Sequence, residues 1–277
     1  GGLTAQTRFH SRFGLANPAI DPMLGASRKN LRLQRNNRVL LSNGTKMADS
    51  VFYSLRDNIA TIRIDDGKRN ALSPQVLREI YRVLDRAESD KASVIITGRE
   101  SVFSAGFDLH TMKRGGTEAM RMLRLGYALT ARVMAYPRPV IAACNGHAMA
   151  MGVFLMLSAD YVIGSRGDFK ISANEVALGL TMPRVAAATL QNRLTPAAFQ
   201  RAVTLAEYFD VESALRAGFF DELVDPGELT SRAETLAEAF DELDAAAHKA
   251  SKLRIRAALL RKIRVSIPLD LLDAAMM

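Results

Sequence analysis

The feature that most constrains this chain is an alternation: from residue 51 to about 165, short extended runs and amphipathic helical stretches succeed one another. VFYSLR (51–56) and IATIRI (59–64) alternate apolar with polar residues and are separated by Asp57-Asn58, a dipeptide suited to a hairpin turn. The polar stretch DDGKRNALSP follows, and its Ser73 and Pro74 suit the N-cap and first position of a helix. QVLREIYRVLDRAE then places Val76, Ile80, Val83, Leu84 and Ala87 on one helical face. SVIIT (93–97) reads as a buried strand, and 118–135 as a helix stopped by Pro137 and Pro139. PVIAAC (139–144) reads as a strand, 147–158 as a helix opened by small residues, and DYVIGS (160–165) as a strand. Beyond 180 the pattern is mostly helical, with one short extended piece at ELVDP. Such an order predicts a layered α/β core with a helical C-terminal part, here divided into a core over 47–225 and a helical region over 226–277.

The net charge of +8 is unevenly placed. Residues 1–46 hold eight of the 37 Lys and Arg and only one of the 29 acidic residues, Asp21, so the remainder is nearly neutral at 29 against 28. This leader, rich in Asn, Ser and Arg, lacks helical or strand periodicity and is expected to be disordered; it reads as a non-native extension or as a transit peptide. Patterned sequence begins just after Met47. A single cysteine, Cys144, gives no disulfide framework and fits a reducing compartment. No apolar run reaches the length of a membrane span, so a membrane partner is not expected. The expected location is the cytoplasm, or the mitochondrial matrix if the leader is a transit peptide.

The usual catalytic arrangements are missing from the sequence: no HExxH, CxxC pair, P-loop or GxSxG elbow occurs. The four histidines, His10, His110, His147 and His248, are scattered, which argues against a metal centre. Two places remain where a strand passes through small residues into a helix, FSAGFDL (103–109) and NGHAMAMG (145–152). Turns of this kind leave N–H groups without partners at a helix start, and two that converge would hold an oxyanion.

FSAGFDL, PVIAACNGHAMAMG, LSADYVIGS, FKISANEVALGL and ALRAGFFDELVDP, in this order and spacing, resemble the enoyl-CoA hydratase/isomerase family, the crotonase superfamily. The likeness spans about residues 48–265. It implies an α/β, crotonase-like spiral of ββα units with a helical C-terminal region, assembled as a homotrimer or hexamer. It also implies an acyl-CoA substrate, with coenzyme A entering as part of that substrate and no separate cofactor. Carried over by the motifs, the two backbone oxyanion donors fall at Phe107 and Met151, where the family usually has Ala and Gly; bulky side chains there are expected to reshape the acyl pocket. Hydratases of the family carry a glutamate three residues after the second donor, and this chain has Phe154 there. The second family glutamate matches Glu175 in NEVALG.

Hydration needs a water activated and a proton delivered, the work of two carboxylates, whereas moving a 3,4 double bond to the 2,3 position needs one base. The resemblance with Phe154 and Glu175 therefore implies an enoyl-CoA isomerase, with a hydratase or a catalytically silent acyl-CoA-binding protein as the alternatives. β-Oxidation of fatty acids is the common setting of the family. The acyl-CoA is expected along KRNALS (68–73) and FSAGFDL, with Lys68 and Arg69 toward phosphates and Ala71, Ala105, Gly106, Phe154 and Pro183 around the acyl thioester.

Other polar groups have plainer readings: Asp108 as a helix-start acid, Asp160 as a structural residue, and His147 as the partner of a backbone group. The basic run KASKLRIRAALLRKIR (249–264) puts Leu253, Ala257, Leu260 and Ile263 on an apolar face, with a cationic face that is either solvated or turned toward CoA phosphates. It contains no aromatic residue, and the chain has no Trp, so stacking platforms for a nucleic acid are not evident.

Overall fold

The computed structural model describes residues 49–276; the basic leader 1–46 lies outside the described residues. β1 (Val51–Arg56) and β2 (Ile59–Ile64) pair antiparallel from Val51 with Ile64 to Arg56 with Ile59. Their turn is left-handed at both Asp57 (φ 47°) and Asn58 (φ 61°), the conformation that matches strand twist in a two-residue hairpin. After β3 (Ala71–Leu72), α1 (Pro74–Ser89) starts where Ser73 Oγ accepts the Val76 N–H at 3.2 Å.

The chain then repeats one path. A strand enters a large sheet, a second strand enters a smaller one, and a helix returns: β4 (Ser93–Thr97), β5 (Ser101–Ser104), β6 (Gly106–Phe107), α2 (Leu109–Arg114) and α3 (Gly116–Met134). The next turn is β7 (Val140–Cys144), β8 (Gly146–Met149) and α4 (Met151–Met156), followed by β9 (Tyr161–Ser165), β10 (Ile171–Ser172) and α5 (Arg184–Gln191). The remainder is α6 (Pro196–Leu205), α7 (Val211–Ala217), β11 (Glu222–Val224), α8 (Leu229–Asp241) and α9 (Ala245–Met276). The large sheet runs β1-β2-β4-β7-β9-β11, parallel from β2 onward; β10-β8-β5 and β3-β6 form the smaller sheets. This is the expected spiral of ββα units.

Strand β4 shows why its sequence is apolar on both faces. Val94 and Ile96 join the main core with α1, while Ile95 joins Ile59, Ile141 and Ile163 beneath Leu229, Ala233 and Ala237 of α8. The sheet is thus covered on both sides, as parallel sheets are.

Two sequence expectations need correction. Residues 147–158 are not one helix: 146–149 form strand β8 and α4 begins at Met151. Small residues suit a helix start, but Gly146 lies so close to β5 that a Cβ there would sit 1.9 Å from the Ser101 carbonyl carbon. Pairing on both sides, to β5 and β10, outweighs local propensity. On α9, Leu260 and Ile263 are buried, but Ala257 is exposed and Lys252, 4% exposed, is inside.

Asp160 draws that basic face inward. Lys252 Nζ lies 2.6 Å from Asp160 Oδ2 and Arg256 NH1 lies 3.0 Å from Oδ1, while Oδ2 also accepts the Val140 N–H at 2.8 Å. One carboxylate therefore joins β7, β9 and α9. Burial pulls the Lys252 ammonium down to about 8 against the opposing pull of Asp160. No described helix is long and apolar enough to cross a membrane.

Removing the anion leaves two inward-facing cations uncompensated, whereas removing one cation leaves the other to pair with Asp160. Asp160→Asn is expected to lower unfolding free energy by about 3–5 kcal/mol and Lys252→Met by about 1 kcal/mol or less. Urea denaturation of the two variants measures this; equal losses would show that Asp160 does not hold the cluster.

Candidate active site

Two turns meet at Gly106. This residue has φ +87°, and a Cβ built on it would lie 2.9 Å from Met149 O, 3.0 Å from Ala150 Cβ and 3.2 Å from Met151 N. The turn entering β6 and the turn between β8 and α4 are therefore packed backbone against backbone, an approach that only glycine permits. Met151 is the first residue of α4, so its N–H falls in the turn where a helix has no internal acceptor. Ala150 before it is strained at φ 48°. Phe107 follows Gly106 directly, which places the two expected N–H donors on adjoining backbone segments.

A buried polar scaffold fixes this junction. Ser104 Oγ accepts the Gly106 N–H at 3.1 Å and donates to Asn70 O at 2.8 Å. Asn70, fully buried, donates through Nδ2 to Ile64 O, Val102 O and Phe103 O at 2.8, 3.1 and 3.2 Å. The 68–73 loop is thereby clamped to β5.

Beside the junction lies a cavity of about 320 Å³, walled largely by apolar side chains. Phe107, Ala105, Phe154, Pro183, Arg69 and Glu175 all line it. Glu175 stands just before a short 3₁₀ turn (Val176–Leu178) and is 7% exposed. Desolvation raises its carboxyl from the ordinary 4.5 to about 7, and Oε2 is buried without a hydrogen-bond partner among the described residues. It is not a solvated surface acid.

Phe154, 1% exposed, presents its ring to the same cavity. Lys68, Ala71, Gly106 and Met151 are not among the lining residues. Lys68 is exposed on the loop, where its N–H donates to Asp66 Oδ1 at 2.7 Å; Ala71 pairs with Gly106 behind the wall. The Met151 side chain is fully buried, with its sulfur near Gly126, so it fills core space and does not shape the acyl pocket as expected. The bulk at Phe107 does shape it. Its ring stacks edge-on to Tyr127 at 5.7 Å and fits over Gly126, where a Cβ would come within 2.3 Å of the ring.

Sequence reasoning missed Tyr127, Asn174, Asp270 and Asp273, all of which line the cavity. The last two come from the end of α9, where three-residue spacing after Pro268 was the only signal. Their acidity is spent on α5. Asp270 accepts the N–H groups of Arg184 and Val185, each at 2.9 Å, because Pro183 at the N-cap offers no side-chain acceptor. Arg184 NH1 also bonds Asp270 at 3.1 Å and Asp273 at 2.5 Å. Glu175 is thus the cavity carboxylate without a cationic or N–H partner from another residue.

The other polar groups have local duties. Asp108 caps α2 by accepting the Thr111 N–H at 2.9 Å, and His147 Nδ1 accepts the Lys170 N–H at 3.0 Å. His110 is exposed. Among the described residues no cluster of three or more His, Cys, Asp or Glu could hold a metal ion.

A strand-bound pair of turns, an apolar cavity and one buried carboxylate left without a partner from another residue are brought together here, and comparison with known proteins gives the family. The family model for enoyl-CoA hydratase/isomerase matches residues 54–266. A probable enoyl-CoA hydratase of Mycobacterium avium is 33% identical over 185 residues, 66% of this chain and 72% of that one. The crystal structure of an enoyl-CoA hydratase/isomerase family protein from Pseudomonas syringae superposes with a TM-score of 0.79 at 41% identity, over 80% of this chain and 97% of that one. Human mitochondrial Δ3-Δ2-enoyl-CoA isomerase superposes with a TM-score of 0.78 at 26% identity, over 81% of this chain and 90% of that one. The chain belongs to the enoyl-CoA hydratase/isomerase family and has the crotonase fold. It is an enzyme of acyl-CoA chemistry.

The fit of Phe107 over Gly126 is open to test. Gly126→Ala is expected to cost about 1–3 kcal/mol by overpacking, and Phe107→Ala in the same chain to recover most of that loss. A double-mutant cycle by denaturation measures it; additive losses would mean that the two side chains do not share space.

Proposed function

We propose that the protein moves the double bond of a 3-enoyl-CoA to the 2-position. Glu175 removes a proton from C2, and the electron pair shifts through C3 as the 3,4 double bond becomes part of a dienolate. The N–H groups of Phe107 and Met151 hold the thioester oxygen as it gains negative charge. Glu175 then returns the proton to C4, leaving the double bond between C2 and C3. The reading rests on one observation: a single carboxylate with no partner from another residue, raised to about 7, stands in an apolar cavity that Phe154 closes where a second acid would be needed.

Arg69 at the cavity and Lys68 on the exposed loop beside it suit the phosphates of coenzyme A, the only cofactor moiety the reaction requires. The fold is shared by the human isomerase and by proteins named as hydratases, so the choice of isomerisation rests on Glu175 and Phe154, and hydration is the reaction to test against. A homotrimer or hexamer acting in β-oxidation completes the proposal.

Ultraviolet absorbance separates the reactions. A 3-enoyl-CoA should give rising absorbance as conjugation forms, and Glu175→Gln should reduce the rate by about 10²–10⁴. A fall with a 2-enoyl-CoA at a comparable rate would establish hydration instead. Because the base works ionised, kcat/KM for isomerisation should climb with pH and level off above about 7.

The same shift affects stability. Glu175 binds its proton up to about 7 in the folded chain but only to about 4.5 when unfolded, so stability falls as pH rises between those values. Glu175→Gln should therefore stabilise the protein at pH 8, on the order of 2–3 kcal/mol, with the gain fading as pH approaches 4.5. Thermal unfolding of both proteins across this range checks the sign.

A further inference from the structure

The cavity has two unlike ends. Leu109, Leu178 and Arg69 line it and are exposed, so they mark its mouth. Leu123 and Tyr127 of α3 and Phe154 of α4 line it at 5% exposure or less, so they mark its closed end. The phosphates of coenzyme A stay at the mouth, because a charge taken into an apolar cavity without a partner is costly. The acyl chain therefore enters with its tail toward α3.

The Phe107 ring stands across that end. It meets Tyr127 edge-on at 5.7 Å, and its tip reaches the α3 backbone at Gly126, where a Cβ would lie 2.3 Å from Cε1 and 2.5 Å from Cζ. The next atom from that Cβ position is the Met151 sulfur at 3.5 Å, so taking the ring away leaves open space along α3 that the glycine itself does not fill. The ring is thus a plug seated in a notch, held on one side by Tyr127 and on the other by the missing side chain of Gly126. The size of the cavity sets the scale of what fits in front of it. An apolar cavity of about 150 Å³ holds benzene, so about 320 Å³ holds roughly a dozen non-hydrogen atoms, the thioester among them.

We propose that the Phe107 ring is the stop that sets acyl-chain length, and that the substrates are acyl-CoAs of about ten carbons or fewer. This deepens the reading above, resting on its placement of the thioester at the Phe107 and Met151 turns and of the phosphates at the mouth. Phe107 then serves the site twice, through its N–H at the thioester and through its ring at the tail, where it is a specificity-determining residue.

Saturated thioesters test this without turnover. Butanoyl-, hexanoyl-, octanoyl-, decanoyl- and dodecanoyl-CoA are titrated by calorimetry into the wild type, Phe107→Ala and Phe107→Leu. While the tail is still entering the cavity, each two added methylenes should tighten binding roughly tenfold. In the wild type that gain should stop by decanoyl-CoA; in Phe107→Ala it should continue to dodecanoyl-CoA. Phe107→Leu should shift the break in the same direction by less, and serves alone if the alanine variant does not fold. Adding Gly126→Ala to Phe107→Ala puts a methyl group into the opened notch and should bring the break back toward shorter chains, which a general loosening of the site would not do. A wild-type affinity that climbs unbroken to dodecanoyl-CoA, or a break that no Phe107 variant moves, overturns the proposal. Because these probes do not react, isomerisation of 3-enoyl-CoA with an unmoved break removes the stop alone, and a moved break without isomerisation removes only the proton transfer.

Discussion

The contact on which the rest of this structure depends is the one at Gly106, where two strand-to-helix turns touch through their backbones. No side chain could stand between Met149 O and Met151 N at this point. The neighbouring residues answer the same constraint: Gly152 lets the first turn of α4 press against Ser104, and Ser104 with Asn70 ties the incoming loop to β5. Strain at Ala150 is tolerated because the surrounding packing leaves the backbone no alternative. Side-chain identity at Phe107 and Met151 is then decided by packing, over Gly126 and against Tyr127 for the one and in the core for the other, since the work expected of them belongs to the main chain.

Against this rigid backbone frame, the chemistry of the cavity is set by what has been removed from it. The acids of α9 are consumed by Arg184 and the start of α5, the Phe154 ring fills its part of the wall, and Glu175 is left in apolar surroundings. Desolvation alone then moves its proton affinity into the range useful for exchange with carbon near neutral pH. The charged form that the proposed proton transfer requires is also the form the fold disfavours, so that function and stability would oppose each other at this residue.

Much of this was legible in the sequence, and the parts that were not share a cause. The hairpin at Asp57-Asn58, the Ser73 cap, strand β4 and the face of α1 follow from local rules, and the structure keeps all of them. The motif around NEVALG located Glu175, whose burial then came from the fold. Strand β8 is not legible locally, because its conformation is decided by pairing with β5 and β10, not by its own residues. The inward turn of Lys252 was likewise hidden, since Asp160 lies 92 residues earlier in the chain. Tyr127 and Asn174 carried no pattern at all; only the cavity that joins them gives them meaning.

The capping of α5 by Asp270 has a consequence in time as well as in space. The carboxylate and the helix it caps are 86 residues apart, and the same stretch of α9 supplies Asp273 and Ala274 to the cavity wall. During synthesis, Glu175 and the Gly106 junction leave the ribosome long before that wall exists. The nascent chain therefore passes through an interval in which the apolar side of this cavity stands open to solvent, and its wall is completed only when the 270s emerge.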